Sequence, residues 1–428
     1  SMHGIGGVVM TGETRRGSAP ALPSRMSADE VTASFGKDSA LTEIVGKGSA
    51  EIEQTAQNGA QQSTRGDRLT TQFAGAKSSA SQGGRGGSAQ LASATVEGNV
   101  VLVQQPAARA GEKPGSPMRA TAQRAVYDEA GQWLRLYGSP RVEDDAMQLA
   151  AERIEVSELS GEARAEGNVK ATWKNAPAGG QGSAAQGFDL GGDGPAHAVA
   201  NEAEWNQKAD EATFRGGARM WQDANSIAAP VIVLNRKTQM LRANGTGAKE
   251  PVRVVLVNAT PPAGQMKGPV KGSAAPQVIE IHGGELVYSG QKRRVVMTGG
   301  TAGNVVADSA GGTTTAAQVE LDLLPPGKRG VANGEVSQVE RMKATGHVTI
   351  TVQGREGTGE ELVYTGSTGE YVLTGTAARQ PQLTDAAHGT VTGAALIFNS
   401  RDDSVRIEGD GRRTTTETTA PRRAVKHG

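Results

Sequence analysis

The chain has 428 residues, of which 36% are hydrophobic and only 3% aromatic, with 59 glycines. So little aromatic mass argues against a large globular enzyme core and for a thin core of Val, Leu, Ile and Ala, as in layered or solenoid architectures. Lys+Arg and Asp+Glu balance at 45 each, which excludes the clustered basic excess of a nucleic-acid binder. The absence of Cys excludes disulfide staples, thiolate metal sites and cysteine nucleophiles.

Ser1 to Ser24 reads as a flexible N-terminal arm, and its Gly-rich start lacks the charged and apolar regions of a secretory signal. From Arg25 to Lys174, short runs of alternating apolar and polar residues have the period of half-buried strands. Arg25 to Phe35 comes nearest to a helical pattern but also fits the repeats. Ala74 to Gly87, Pro106 to Pro117 and Thr260 to Pro276 are Gly-, Ser- or Pro-rich and belong outside the fold. Asn175 to Pro195 is a similar stretch and reads as a linker. Strands resume over residues 196–416, and residues 417–428 form a flexible tail. No stretch approaches the roughly 20 apolar residues of a membrane-spanning helix.

Three repeated signatures organise these strands. The first is a Gly-led strand. It occurs as Lys47-Gly48-Ser49-Ala50-Glu51-Ile52, Glu97-Gly98-Asn99-Val100-Val101-Leu102, Glu166-Gly167-Asn168-Val169-Lys170-Ala171 and Thr345-Gly346-His347-Val348-Thr349-Ile350. Overlaying the four leaves two positions always apolar and the one between them variable, the signature of one face in and one out. The second places an aromatic residue 11 positions before a Gly: Tyr127 and Gly138, Trp205 and Gly216, Tyr288 and Gly299, Tyr364 and Gly375. An apolar-x-apolar triplet precedes each Gly, so the unit reads as strand, tight turn, strand and bend. The third is a small residue three before an aliphatic one, as in Ala28/Val31, Gly66/Leu69, Ala151/Ile154, Ala229/Ile232 and Gly393/Leu396; a strand that turns a corner needs a small residue there. The Gly markers put the repeat at about 75 to 85 residues. Each unit has one apolar face and must stack on a neighbour to bury it. The fold expected is all-β, an elongated open jellyroll of stacked short antiparallel strands built from imperfect repeats, with no significant helix.

Catalytic signals are weak. His3, His197, His282, His347, His388 and His427 show no metal-ligand spacing. Asp144-Asp145 and Asp402-Asp403 are adjacent, so alternation would point them to opposite faces; they read as turn residues rather than an acid/base pair. No nucleophile elbow or phosphate-binding loop is present.

Several motifs in order resemble the LptA/OstA-like family of lipopolysaccharide-transport proteins. These are Ala122, Ala125 and Tyr127; Leu134 to Val142 (L-x-L-x-G-x-P-x-V); Ala151 and Ile154; and Ala165 to Val169. They continue with Gly359 to Tyr364, Leu373 to Gly375, Pro381 to Leu383, Val391 to Gly393 and Phe398, and close on Arg412 to Thr416. The resemblance spans about Arg25 to Thr416. It implies an open β-jellyroll that carries lipopolysaccharide across the periplasm with its acyl chains in the groove, as a non-catalytic bridge without cofactors. The implied partners are lipopolysaccharide or a similar multi-acyl lipid, related jellyroll proteins of the inner- and outer-membrane complexes added end to end through strand edges, and further copies of the chain. The chain is longer than one bridge unit of that family.

Twenty inward positions are expected to line such a groove: Val100, Leu102, Tyr127, Leu134, Leu136, Val169, Ala171, Trp173, Trp205, Phe214, Leu286, Tyr288, Met297, Val348, Ile350, Val352, Leu362, Tyr364, Leu373 and Phe398. The same residues would serve as ordinary core. Two other readings compete. A structural or adhesin-like β-solenoid that binds proteins would have tight, regular repeats and a filled core. A carbohydrate-active β-helix would cluster carboxylates on one outward face.

Overall fold

The structure is a computed structural model. It describes residues 1–428 except 16–21, 37–39, 56–58, 75–88, 108–114, 131, 158, 175–189, 191–193, 259–276, 310–311, 325–329, 333–334, 338, 353, 377, 386–388, 400–403, 410–414 and 418–428. The chain divides into two compact units, one of Ser1–Gly187 with His197–Phe214, the other of Phe188–Ala196 with Arg215–Gly428.

The first unit contains β1 (Met2–Arg15), β2 (Leu22–Phe35), β3 (Leu41–Thr55), β4 (Gln61–Ala74), β5 (Ala89–Gln105), β6 (Met118–Asp128), β7 (Trp133–Tyr137), β8 (Arg141–Glu143), β9 (Met147–Ala150), β10 (Arg153–Ser157) and β11 (Glu162–Trp173). It also holds most of β12 (Ala196–Asn206), and the division falls within β13 (Glu211–Gln222). The described pairs of this unit are antiparallel, apart from two parallel pairs that join the end of β1 to β5, Thr14 to Ala89 and Arg15 to Gln90.

Each long strand belongs to two leaves. In the first leaf, Ala50 pairs with Gly66, Arg65 with Val101, and Val100 with Ala122. In the second, Lys47 pairs with Arg68, which pairs with Glu97, which pairs with Arg124. Register breaks between the leaves in every one of these ladders. Beyond β6 the crossing strand splits in two. β7 and β10 pair in the second leaf, and β8 and β9 in the first, while β11 spans both.

The breaks align into a spine of corners, and two of the sequence signatures are its two sides. The Gly-led signature supplies two consecutive left-handed residues, as at Gly98 (φ 73°) with Asn99 (φ 48°) and Gly167 (φ 77°) with Asn168 (φ 49°). Opposite each of these two lies a small-x-x-aliphatic signature, here with an acidic second residue: Asp67 faces Gly98 and Glu152 faces Gly167. A Cβ at either glycine would collide with that carboxylate, and an L side chain there would also resist the positive φ. The asparagines then close the corner, Asn99 Nδ2 donating to Asp67 Oδ2 at 3.0 Å and Asn168 Nδ2 to Glu152 Oε1 at 2.5 Å. At the spine the interior fills with Val31, Ala33, Ala50, Leu69, Val96, Val100, Leu136, Ile154 and Val169, all nearly inaccessible.

The second unit continues with β14 (Asn225–Asn235), β15 (Met240–Asn244), β16 (Val252–Asn258), β17 (Gln277–Gly283), β18 (Glu285–Ser289), β19 (Arg294–Thr298), β20 (Val305–Ser309), β21 (Gly312–Ala316), β22 (Gln318–Leu323), β23 (Gly330–Ala332), β24 (Glu335–Ser337), β25 (Val339–Val352), β26 (Arg355–Thr365), β27 (Glu370–Thr374), β28 (Gln382–Asp385), β29 (Gly389–Thr392), β30 (Ala395–Asn399), β31 (Val405–Glu408) and β32 (Thr415–Glu417). The ladder again breaks where β25 crosses, at Gly346 (φ 83°) and His347 (φ 50°). The aromatic-to-Gly signature proves to be a hairpin: Tyr127 pairs with Leu134, Tyr288 with Val295 and Tyr364 with Tyr371. The chain is thus an all-β antiparallel jellyroll. Its one helical turn among the described residues is a 3₁₀ turn at Gly300–Ala302.

Two expectations change. Residues 2–15 are not a flexible arm: β1 pairs with β2 from Met2 to Thr14, and its Val8 and Met10 pack against the core. Arg25 to Phe35 is strand throughout, as its fit to the repeats implied. Within the expected linker, Leu190 is buried and tied down, while residues 175–189 and 191–193 lie outside the described residues, as do residues 418–428 of the tail. Asp144 is a turn residue, its Oδ1 accepting from the backbone N–H of Ala146 and Met147; Asp402-Asp403 lies outside the described residues.

Candidate functional site

Away from the spine the two leaves of the first unit part and enclose a cavity of about 300 Å³. The first leaf contributes two parallel rows, set by register. The deeper row runs Met10, Met26, Ile52, Thr64, Leu102, Ala120 across six strands. One pleat further out, the same strands present Gly12, Ser24, Gln54, Gln62, Gln104 and Met118. The second leaf answers with Leu69, Val96 and Ala125 near the spine, then Ile44, Thr71, Ala94, Tyr127 and Leu134, and an apolar lip of Leu41, Phe73 and Leu91. The methionines of this wall, Met10, Met26 and Met118, are unbranched and adaptable.

The wall carries almost no charge. Among its described residues there is no Lys or Arg, and Glu13 is the sole acid. The Thr71 hydroxyl is satisfied by the Ile44 carbonyl at 3.4 Å. Strong electrostatics sit elsewhere. On the outer face of the second leaf, Arg135 Nε donates to Glu155 Oε1 at 3.0 Å, and Arg153 bonds the same carboxylate while lying over the Tyr137 ring. That hydrogen bond to Glu155 holds the Arg153 guanidinium above its ordinary pKa.

The twenty expected lining residues are all buried or half-buried, and they divide between the two units. Leu102, Tyr127 and Leu134 lie on the cavity wall. Val100, Leu136 and Val169 sit at the spine of the same unit. Ala171 and Trp173 are buried in β11, and Trp173 meets Phe214 edge to face at 6.1 Å; Trp205 is half-buried in β12. In the second unit Leu286, Tyr288, Met297, Val348, Ile350, Leu362, Leu373 and Phe398 are buried, with Val352 and Tyr364 half-buried. There Leu286 pairs with Met297, and Tyr371 stacks between Tyr364 (4.5 Å) and Phe398 (5.1 Å). Sequence reasoning missed the contribution of β1 (Met10 to Glu13) and the polar row of Gln54, Gln62 and Gln104. Alternation carried two residues past Ile52 and Leu102 reaches Gln54 and Gln104.

Residues 147–240 match the family model described as LptA/(LptD N-terminal domain) LPS transport protein. Over this segment the chain resembles that family. The matched stretch begins at the first residue of β9, where the crossing strand has already split into short halves, and ends at the first residue of β15. No curated protein matches the chain. Among solved structures, the crystal structure of LptH, the LptA homologous periplasmic component of the conserved lipopolysaccharide transport device from Pseudomonas aeruginosa, is similar at 16% identity. The match covers 36% of this chain and 90% of that one, with a TM-score of 0.25.

Proposed function

We propose that the chain is a non-catalytic carrier that holds lipopolysaccharide, or a similar multi-acyl lipid, by its acyl chains and passes it through the periplasm towards the outer membrane. The observation that carries this reading is the nearly uncharged, methionine- and leucine-walled cavity between the leaves of the first unit. Burying one CH₂ contributes roughly 0.8 kcal/mol, so a 12-carbon chain supplies about 9 kcal/mol gross with no covalent chemistry. The family match over residues 147–240 supports the same reading. The expected lining residues of both units would form the acyl path. Related jellyroll proteins would add strands at the exposed edge of β1, where Met2, Ile5 and Val9 are exposed apolar residues.

A photo-crosslinking residue tests the reading. Placed at Leu102, on the wall, it captures lipopolysaccharide added to the purified protein; placed at Lys170, on the outer side of β11, it does not. Equal capture from both positions, or from neither, would sink the proposal. A second reading, a structural β-solenoid that binds other proteins, is favoured by one observation: Leu286, Leu321, Leu362 and Leu373 of the second unit are all but inaccessible, as in a filled core.

A further inference from the structure

The mouth of the cavity is asymmetric, and its polar lip carries a chemistry that an alkyl-binding wall alone does not require. On the second leaf the lip is apolar, with Leu41, Phe73 and Leu91. On the first leaf the equivalent row holds three glutamines directly opposite one another, Gln54 to Gln62 and Gln62 to Gln104. Register partners in an antiparallel ladder share a face, with their Cβ atoms about 5 Å apart. All three line the cavity. Gln54 is 7% exposed, which fixes it in place. Among the described residues, neither the Gln62 nor the Gln104 amide has a hydrogen-bond partner. Each therefore presents one carbonyl acceptor and two N–H donors to whatever occupies the mouth.

We infer that this glutamine row is a subsite for the uncharged acyl linkage of the ligand: the amide or ester that joins an alkyl chain to a sugar. The inference rests on the acyl-binding reading and names the part of the ligand that sits at the lip. An amide or ester offers a carbonyl acceptor, and an N-acyl group a donor as well, which a row of primary amides matches bond for bond. A carboxylate or phosphate at the same place would need a cation to offset its desolvation, and the described wall has none. Its single charge, Glu13, repels anions. The alkyl chain then runs inward over Leu102 and Ile52, and charged groups of the ligand stay outside the lip.

The test is displacement of a fluorescent alkyl probe from the full chain by N-lauroylglucosamine, laurate and lauryl phosphate, three ligands with one alkyl chain and different heads. The amide-linked ligand is expected to compete about tenfold better than either anion, the worth of one or two neutral hydrogen bonds. Gln62→Leu with Gln104→Leu, which keeps the wall apolar, brings the three within about twofold. Gln62→Lys with Gln104→Lys turns the preference to lauryl phosphate. Equal competition by all three ligands, or a preference that neither double variant changes, overturns the inference while leaving the acyl-binding reading standing. Failure of all three to displace the probe overturns both.

Discussion

Asn168 donates its amide to the Glu152 carboxylate across the corner that joins the two leaves, 2.5 Å from Nδ2 to Oε1. Asn99 and Asp67 repeat the arrangement 69 and 85 residues earlier in the chain (168 − 99 and 152 − 67). The recurrence explains why the chain repeats glycine at these points: the partner strand's acid occupies the space a Cβ would need.

Gly167→Ala should therefore destabilise the first unit by about 1–3 kcal/mol, from a strained positive φ and a displaced Glu152. Asn168→Gly, which keeps the backbone and loses one hydrogen bond, should cost about 1 kcal/mol or less. Urea unfolding followed by far-ultraviolet circular dichroism measures both; equal costs would refute the corner account.

The corners also show how much of the fold was legible. Period-two alternation around Val100, Leu102, Val169 and Ala171 exposed the strands and their inner face, because strand geometry alone produces it. The Gly-led and small-x-x-aliphatic signatures were visible as separate repeats, yet their pairing was not. Gly167 and Glu152 meet only through the register of β11 against β9 and β10, a long-range relation that no local pattern encodes. β1 was illegible for a related reason. Its glycines, Gly6 and Gly7, both at positive φ, interrupt the alternation, and only docking on β2 makes the segment a strand. The site suffered most, since Leu102 on the wall and Val100 at the spine have the same sequence signature and differ only in distance from the corner.

That difference is measurable. Leu136 sits 1% exposed at the spine, so Leu136→Ala should cost about 2–5 kcal/mol of stability through the cavity it leaves. Leu102 faces space that already exists, and Leu102→Ala should cost under about 1.5 kcal/mol. Leu102→Trp should fold and lose lipid capture. Denaturant midpoints and crosslinking yield together decide whether wall and spine are distinct.

In the second unit two buried amides hold a short segment by its backbone. Gln222 Oε1 accepts from the Leu190 N–H at 2.7 Å and its Nε2 donates to the Gly194 carbonyl at 2.9 Å. Asn225 donates to the Leu190 carbonyl at 3.0 Å and accepts from the Val257 N–H at 2.9 Å. Asn225→Leu would strand buried backbone groups on both sides, at about 1–3 kcal/mol for each group left unpaired. Hydrogen exchange should accelerate at Val257, whose N–H loses its acceptor, and less at Leu190, whose N–H Gln222 still holds; unchanged exchange at Val257 would show that Asn225 does not protect it.

Tyr371 links the second unit's stability to alkaline pH. Burial, and then the neighbouring Tyr364, push its phenol above the ordinary value of 10.0. Raised in the folded state, the pKa means that the folded chain keeps a proton the unfolded chain releases. Stability is thus fully present below pH 10 and falls as pH rises above it, at up to about 1.4 kcal/mol per pH unit for this one group. Tyr371→Phe removes the titrating proton while keeping the stack on Phe398. The variant's unfolding midpoint should fall less steeply than the parent's above pH 10, and the two curves should run parallel below it. Parallel curves on both sides of pH 10 would mean that the Tyr371 hydroxyl ionises as freely in the folded chain as in the unfolded one.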